Sequence, residues 1–343
     1  MNSEIRVLLV DDSPLVLVIL QRLLASASGI RVVGTASNGR EALGLVKKLD
    51  PDVICTDLHM PVMDGLEFTR TLMQTSPKPV LVVSVSVEPG SPNLFSLLEA
   101  GAVDVFPKPR VMLEAEMTGM AEELASRIRI LAGVHVFRRI PEKPSPMPRT
   151  TRNRASLVAI GASTGGPQAL REIFSNLPES FSLPIVCVQH IIGSFLSELV
   201  AWLAGSTRLV VKKAAQGERP VAGTIYFAPE KSHLEYDREG RFSLSFGQPR
   251  EGHRPSITAM MESAARVFGN GCIGVLLSGM GQDGAEGMQA IASAGGMTLA
   301  QDEASSVVYG MAKEAVARRC IQHLLPLEQI APMLVSLENR RTA

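Results

Sequence analysis

The sequence predicts two α/β domains, each built on a doubly wound parallel sheet: a flavodoxin-like domain first, then a Rossmann-like one. Three observations predict this. Short runs rich in Val, Ile and Leu alternate twice with longer helical patterns, the rhythm of parallel strands buried on both faces and joined by helical crossovers. The length of 343 residues suits two domains at roughly 150 residues each. A stretch rich in proline and arginine, Pro141 to Arg154, interrupts the alternation near its middle and reads as an extended linker.

The first set of strands is expected at Val7–Val10, Arg31–Ala36, Asp52–Thr56, Pro79–Ser84 and Ala102–Phe106. Such a five-stranded sheet places its ligand site beyond the carboxyl ends of the strands. A helical pattern from about Glu116 to Phe137 follows, then Pro141, Pro144, Pro146 and Pro148 break regular structure. The second set is expected at Leu157–Gly161, Leu183–Gln189, Arg208–Val211, Gly223–Ala228 and Ile273–Ser278. Within it, Leu234–Phe246 contains Glu239-Gly240 and reads as a hairpin. These signals divide the chain into residues 4–124, a helix and linker over 125–154, and a second domain over 155–336.

Composition narrows the function classes. Hydrophobic residues at 45% and charged residues at 20% are those of a globular chain, and aromatics at 4% make the cores aliphatic. Lys+Arg and Asp+Glu each total 34, so no global charge draws the chain to nucleic acid or to an anionic membrane. The four cysteines, Cys55, Cys187, Cys272 and Cys320, lack the spacing of a metal finger and are expected to be buried reduced thiols. Ile5 to Val10 runs into Asp11 and Asp12 without the succession of a secretory signal. No apolar run reaches the ~20 residues needed to span a bilayer. A cytoplasmic protein without membrane insertion is expected.

In the first domain, Asp11 and Asp12 follow the first strand, Asp57 ends the third, Ser84 ends the fourth and Lys108 follows the fifth. In a parallel sheet all five fall on one rim. Three converging carboxylates repel one another unless a cation neutralises them, and such hard oxygen ligands suit Mg²⁺. Asp57 is the natural phosphoryl acceptor, with a lysine and the metal on the other oxygens. Taken singly, each residue is as readily a turn former or helix cap; five in register are harder to explain that way.

The run Asp57-Leu58-His59-Met60-Pro61-Val62-Met63-Asp64-Gly65, with Phe106-Pro107-Lys108-Pro109, resembles two-component receiver domains. The resemblance implies metal binding by Asp11, Asp12 and Asp57, phosphorylation of Asp57 by a sensor histidine kinase, and phosphate contacts from Ser84 and Lys108. One departure stands out: the position three before the lysine, often aromatic in receivers, is Val105, with Phe106 beside it.

In the second domain, Gly161-Ala162-Ser163-Thr164-Gly165-Gly166-Pro167 lies between an apolar strand and the helical run Gln168–Leu177. A serine on such a strand-to-helix turn projects its hydroxyl at the sheet rim, beside backbone N–H groups at a positive helix end. The segment does not match Gly-x-Gly-x-x-Gly and lacks the Lys-Ser/Thr of a P-loop, which argues against nucleotide binding. His190 ends the strand Leu183–Gln189, and Asp283 lies in Ser278-Gly279-Met280-Gly281-Gln282-Asp283-Gly284. Alone, the histidine reads as a structural hydrogen-bonding group and the aspartate as a turn or cap. Together, Ser163, His190 and Asp283 supply a nucleophile, a general base and the carboxylate that orients the base.

These segments, with Val188-Gln189-His190 and His253-Arg254-Pro255-Ser256, resemble the catalytic domain of the chemotaxis protein-glutamate methylesterases, the CheB family. With the receiver and linker in the same order, the resemblance spans nearly the whole chain. It implies Ser163 as nucleophile, His190 as base and Asp283 as orienting acid, with Thr164, Gly165 and Met280 lining the oxyanion and substrate vicinity. It further implies methylated chemoreceptors as partners, and hydrolysis of glutamate methyl esters and deamidation of glutamines without a cofactor for that step. The fusion of a switch domain to a hydrolase through one linker leads to the expectation that the unphosphorylated receiver packs over the crevice and that phosphorylation of Asp57 weakens that packing. Two positions depart from the pattern: Ile191-Ile192-Gly193 stands where Met-Pro is often found after the histidine, and Thr258 stands where an aspartate is common. A non-enzymatic, phosphorylation-dependent receptor adaptor is the competing expectation. A transcriptional regulator would need a helix-turn-helix or a basic face, neither of which is evident.

Overall fold

The computed structural model describes residues 4–84, 94–109, 114–134, 155–191 and 195–339. By internal contacts the chain divides into two units, Met1–Ile140 and Pro141–Ala343. The expected linker, Pro141 to Arg154, lies outside the described residues.

In the first unit the elements alternate as β1 (Ile5–Val10), α1 (Pro14–Ala25), β2 (Ile30–Ala36), α2 (Gly39–Leu49), β3 (Val53–Thr56), α3 (Gly65–Thr75), β4 (Val80–Ser84), α4 (Leu94–Ala100), β5 (Asp104–Pro107) and α5 (Glu114–Ala132). The strands form a wholly parallel sheet in the order β2-β1-β3-β4-β5. Val7 to Val10, Val53 to Cys55 and Val80 to Val83 are almost fully excluded from solvent, which is why these strands read as unbroken aliphatic runs. The helices start where the sequence offers caps. Asn38 accepts the N–H of Glu41, and Asp64 accepts that of Glu67. α5 runs through residue 124 to Ala132 and packs on α1, so a division at 124 falls inside a helix of this unit.

The second unit contains β6 (Leu157–Ala162), α6 (Gly166–Ser175), β7 (Ile185–Gln189), α7 (Leu196–Ala204), β8 (Val210–Lys213), β9 (Thr224–Phe227), β10 (His233–Tyr236), β11 (Phe242–Ser245), α8 (Ile257–Phe268), β12 (Cys272–Leu276), α9 (Ala285–Ser293), β13 (Met297–Gln301), α10 (Met311–Ala317), β14 (His323–Leu325) and α11 (Leu327–Asn339). Seven strands form a parallel sheet in the order β14-β13-β12-β6-β7-β9-β8. The five expected strands are present, and β13 and β14 add to them. β10 and β11 form the expected antiparallel hairpin outside this sheet, and β10 packs on α8. Their core joins Leu234, Tyr236 and Phe242 to Ile257, Met260, Met261 and Ala264.

The chain leaves β6 toward β7 on one side and returns at β12 on the other, so strand order reverses beside β6. A crevice outside the carboxyl ends of the strands is the usual ligand site at such a point.

Candidate active site

β6 and β7 pair in register up to Ala162 and Gln189, and the next N–H, that of His190, donates to Ala162 O at 2.9 Å. Ser163 and His190 are therefore the residues immediately beyond two adjacent strand ends, where neighbouring chains lie roughly 5 Å apart. Across the switch point, the Ser163 N–H donates to Ser278 O at 3.0 Å, which ties the serine to the segment after β12. Gln189 Nε2 donates to the carbonyls of Ser163 and His190, at 2.8 and 3.0 Å. One buried amide thus fixes the backbone of both residues.

The glycines after the serine are required by space. Gly165 adopts φ +77° before α6, and a Cβ on Gly166 would lie 2.1 Å from Gln189 Oε1. Only a residue without a side chain lets α6 start so close to β7. Thr164 is buried, and its carbonyl accepts the Ser278 hydroxyl at 2.7 Å. A Cβ on Gly279 would lie 2.6 Å from Ser163 Cβ, so the following loop runs against the serine; Met280 in that loop is 48% exposed.

His190 Nε2 lies 2.9 Å from Asp283 Oδ2. The carboxylate only accepts, so Nε2 carries a hydrogen, and in the neutral ring Nδ1 carries the lone pair. Nδ1 is buried and has no hydrogen-bond partner among the described residues. The ring therefore holds an uncommitted basic nitrogen next to the strand end that carries Ser163.

Asp283 is 2% exposed and would be costly to ionise without partners. Burial pushes its carboxyl upward, but His190 and the N–H groups of Thr258 and Ile257 outweigh that and hold it well below the usual carboxylate range. Ile257 N–H donates to Oδ2 at 2.8 Å; Thr258 N–H and the Ser256 hydroxyl donate to Oδ1, each at 2.9 Å. These donors form the cap and first turn of α8, where orphan N–H groups and the helix dipole favour an anion. The Thr258 hydroxyl also accepts the Gly284 N–H at 2.7 Å.

Sequence reasoning singled out Ser163, His190 and Asp283 but not the groups that support them here. Ser256 was legible as an N-cap before an apolar helix; nothing local told that its hydroxyl would also serve a carboxylate 27 residues away. His253 stacks on His190, with ring centroids 3.8 Å apart and planes at 13°. It is presented by a turn in which Arg250 and His253 exchange backbone hydrogen bonds.

The first unit gathers the other predicted residues. One carboxylate oxygen from each of Asp11, Asp12 and Asp57 lies within 4.8 Å of the others. Lys108 Nζ sits 2.8 Å from Asp11 Oδ2 and 2.7 Å from Asp57 Oδ2. Burial pushes the Asp57 carboxyl upward against the pull of Lys108. Ser84 ends β4, buried, and its carbonyl accepts the Lys108 N–H at 2.8 Å. Val105 and Phe106 are both buried in β5, with the Arg127 guanidinium 5.9 Å from the Phe106 ring centre. The donor set, three hard carboxylates beside one ammonium, fits a divalent cation of the Mg²⁺ class.

Residues 158–334 match the family described as CheB methylesterase, and residues 7–116 match the response regulator receiver domain. The chain belongs to the CheB methylesterase family. It is 38% identical to the protein-glutamate methylesterase/protein-glutamine glutaminase of Nitrosospira multiformis over 98% of each chain. It is 40% identical to a protein of that name from Pseudomonas aeruginosa, again over 98% of each. The crystal structure of the Thermotoga maritima CheB methylesterase catalytic domain superposes with a TM-score of 0.52 at 35% identity, covering 53% of this chain and 98% of that one. Likeness to a CheB protein thus extends over both units. Among the described residues no helix is long and apolar enough to cross a membrane.

Proposed function

We propose that the chain is a phosphorylation-regulated protein-glutamate methylesterase and protein-glutamine glutaminase that acts on chemoreceptors from the cytoplasm. The observation that carries this reading is the ordered pair at the crevice: an aspartate bonded to His190 Nε2, and a buried, unpartnered Nδ1 beside the Ser163 strand end.

In this reading Ser163 Oγ attacks the γ-carbonyl carbon of a glutamyl methyl ester while His190 Nδ1 takes the hydroxyl proton. Asp283 holds the ring and stabilises the imidazolium. The tetrahedral oxyanion forms beside Thr164 and Gly165 at the start of α6, with the Met280 loop opposite. Collapse breaks the ester C–O bond, His190 returns the proton to the leaving oxygen, and methanol departs. Water, deprotonated by His190, then hydrolyses the acyl-serine to a free glutamate side chain. A glutamine side chain would follow the same course and release ammonia.

Residues 4–124 carry the receiver function and 155–336 the hydrolytic one. Asp57 accepts a phosphoryl group from a sensor histidine kinase, and Lys108 and Ser84 bind its oxygens. Asp11, Asp12 and Asp57 would hold Mg²⁺, which when bound neutralises charge on the transferred phosphoryl group.

The test is methanol release from receptor-bearing membranes, with the mass of each receptor glutamyl site read in parallel. The expected result is release of methanol with loss of one methylene mass per site, faster when a small phosphodonor is supplied. Receptor binding without either change would instead establish the adaptor reading.

A further inference from the structure

We infer that His233, in the hairpin outside the main sheet, is a positioning residue that holds the catalytic aspartate through Ser256. His233 is buried in β10 and lies 23 residues before its partner in the α8 cap. Its Nδ1 lies 3.2 Å from Ser256 N, and its Nε2 lies 3.0 Å from Gln248 O. A backbone N–H only donates and a backbone carbonyl only accepts, so both roles of the ring are fixed: Nδ1 is bare and Nε2 carries the hydrogen. The ring is neutral, in one tautomer.

Ser256 has three tasks at one spot. Its N–H is taken by His233; its hydroxyl accepts the Ala259 N–H at 3.2 Å and donates to Asp283 Oδ1 at 2.9 Å. The next two N–H groups of α8 also serve Asp283. Among the described residues, every donor to the carboxylate except His190 therefore comes from the cap and first turn of one helix. The position of that helix start sets the position of Asp283, and hence the direction in which His190 Nδ1 points.

Ser256 is fully buried. Removing the acceptor on His233 leaves its N–H without a partner away from water, at the full desolvation cost. The cap relieves that cost by shifting, and carries three of the donors to Asp283 with it. The hairpin thus gains a function: it pins the α8 cap in place. This inference rests on the triad proposed above, and the two fail separately. Loss of activity in a serine variant tests the triad, whereas the variants below leave Ser163, His190 and Asp283 in place.

Two substitutions in the full-length chain divide the two ring roles. His233→Asn places an amide oxygen near the Nδ1 position and keeps the acceptor for Ser256; His233→Gln places an amide near the Nε2 position and loses it. With methylated receptor membranes as substrate, His233→Gln is expected to lower kcat about tenfold, the cost of one lost buried hydrogen bond. KM should stay within about twofold, and His233→Asn should recover most of kcat. Equal kcat for both variants, whether wild type or equally reduced, would overturn the inference. A measurement on the unaltered chain stands independently of how the variants fold. Nitrogen-15 NMR of labelled histidine at neutral pH should show a ring with bare Nδ1 and protonated Nε2 whose signals vanish in His233→Asn and persist in a His190 variant, which assigns them to His233. A charged ring, or the opposite tautomer, would also overturn it.

Discussion

Asp283 shows how a single side chain can be at once buried, charged and useful. Four donors meet its two oxygens, so ionisation is favoured where burial alone would suppress it. Its carboxyl in the folded state titrates well below the ordinary value of about 3.9. The stabilisation it contributes is therefore complete above that value and is lost as pH falls through the depressed folded pKa. Trp202 in α7 is the chain's single tryptophan, so its fluorescence follows unfolding of the second unit. In urea titrations the stability gap between wild type and Asp283→Asn should narrow as pH falls below 4; a gap that keeps widening below pH 4 would contradict the assignment. At pH 7 the same substitution should lower turnover by about 10⁴-fold, the scale for an orienting aspartate in a serine triad. At this scale the sequence was legible where chemistry demands a residue type. A nucleophile, a base and an acid must be particular side chains, and Ser163, His190 and Asp283 all follow strand signals. The donors to Asp283 were less legible because two of the four are backbone N–H groups, which any residue supplies.

At the scale of elements, close approach decides several identities. A Cβ on Gly65 would lie 2.0 Å from Asp57 O, so α3 can begin beside Asp57 only because residue 65 is glycine. Gly65→Ala should destabilise the first unit by about 1–3 kcal/mol, the cost of forced overpacking, and slow phosphorylation of Asp57. Calorimetry together with phosphodonor labelling would check both; unchanged melting and labelling would show that the backbone yields freely. The strands read most easily are those buried on both faces, such as Val80 to Ser84 and Leu157 to Ala162. β13 and β14 escaped because their signals are weak. Met297-Thr298-Leu299-Ala300-Gln301 has one β-branched residue, and β14 has three residues, with Leu324 exposed. Their place is set by pairing with β12 and with each other, a non-local cause that local periodicity does not carry.

At the scale of the molecule, the two units repeat one architectural rule with different chemistry. Each gathers its polar residues where parallel strands end. In the first these are Asp11, Asp57 and Lys108, suited to holding a phosphoryl group. In the second they are His190 and Asp283 beside Ser163, suited to moving a proton. That placement explains why a linear reading could single out both candidate sites, since strand ends are where the aliphatic runs stop. Asp57→Asn removes the proposed phosphoryl acceptor and leaves Ser163, His190 and Asp283 untouched. It should abolish the stimulation of methanol release by a small phosphodonor while retaining the unstimulated rate. Stimulation that persists in this variant would place the regulatory event elsewhere. The most direct measurement of the whole account is methanol release from methylated receptor membranes by purified Ser163→Ala beside wild type. The account predicts a fall of roughly 10⁶ in turnover, as when a serine triad is dismantled, with the fold and receptor binding intact. A folded Ser163→Ala chain that releases methanol as fast as wild type would contradict it.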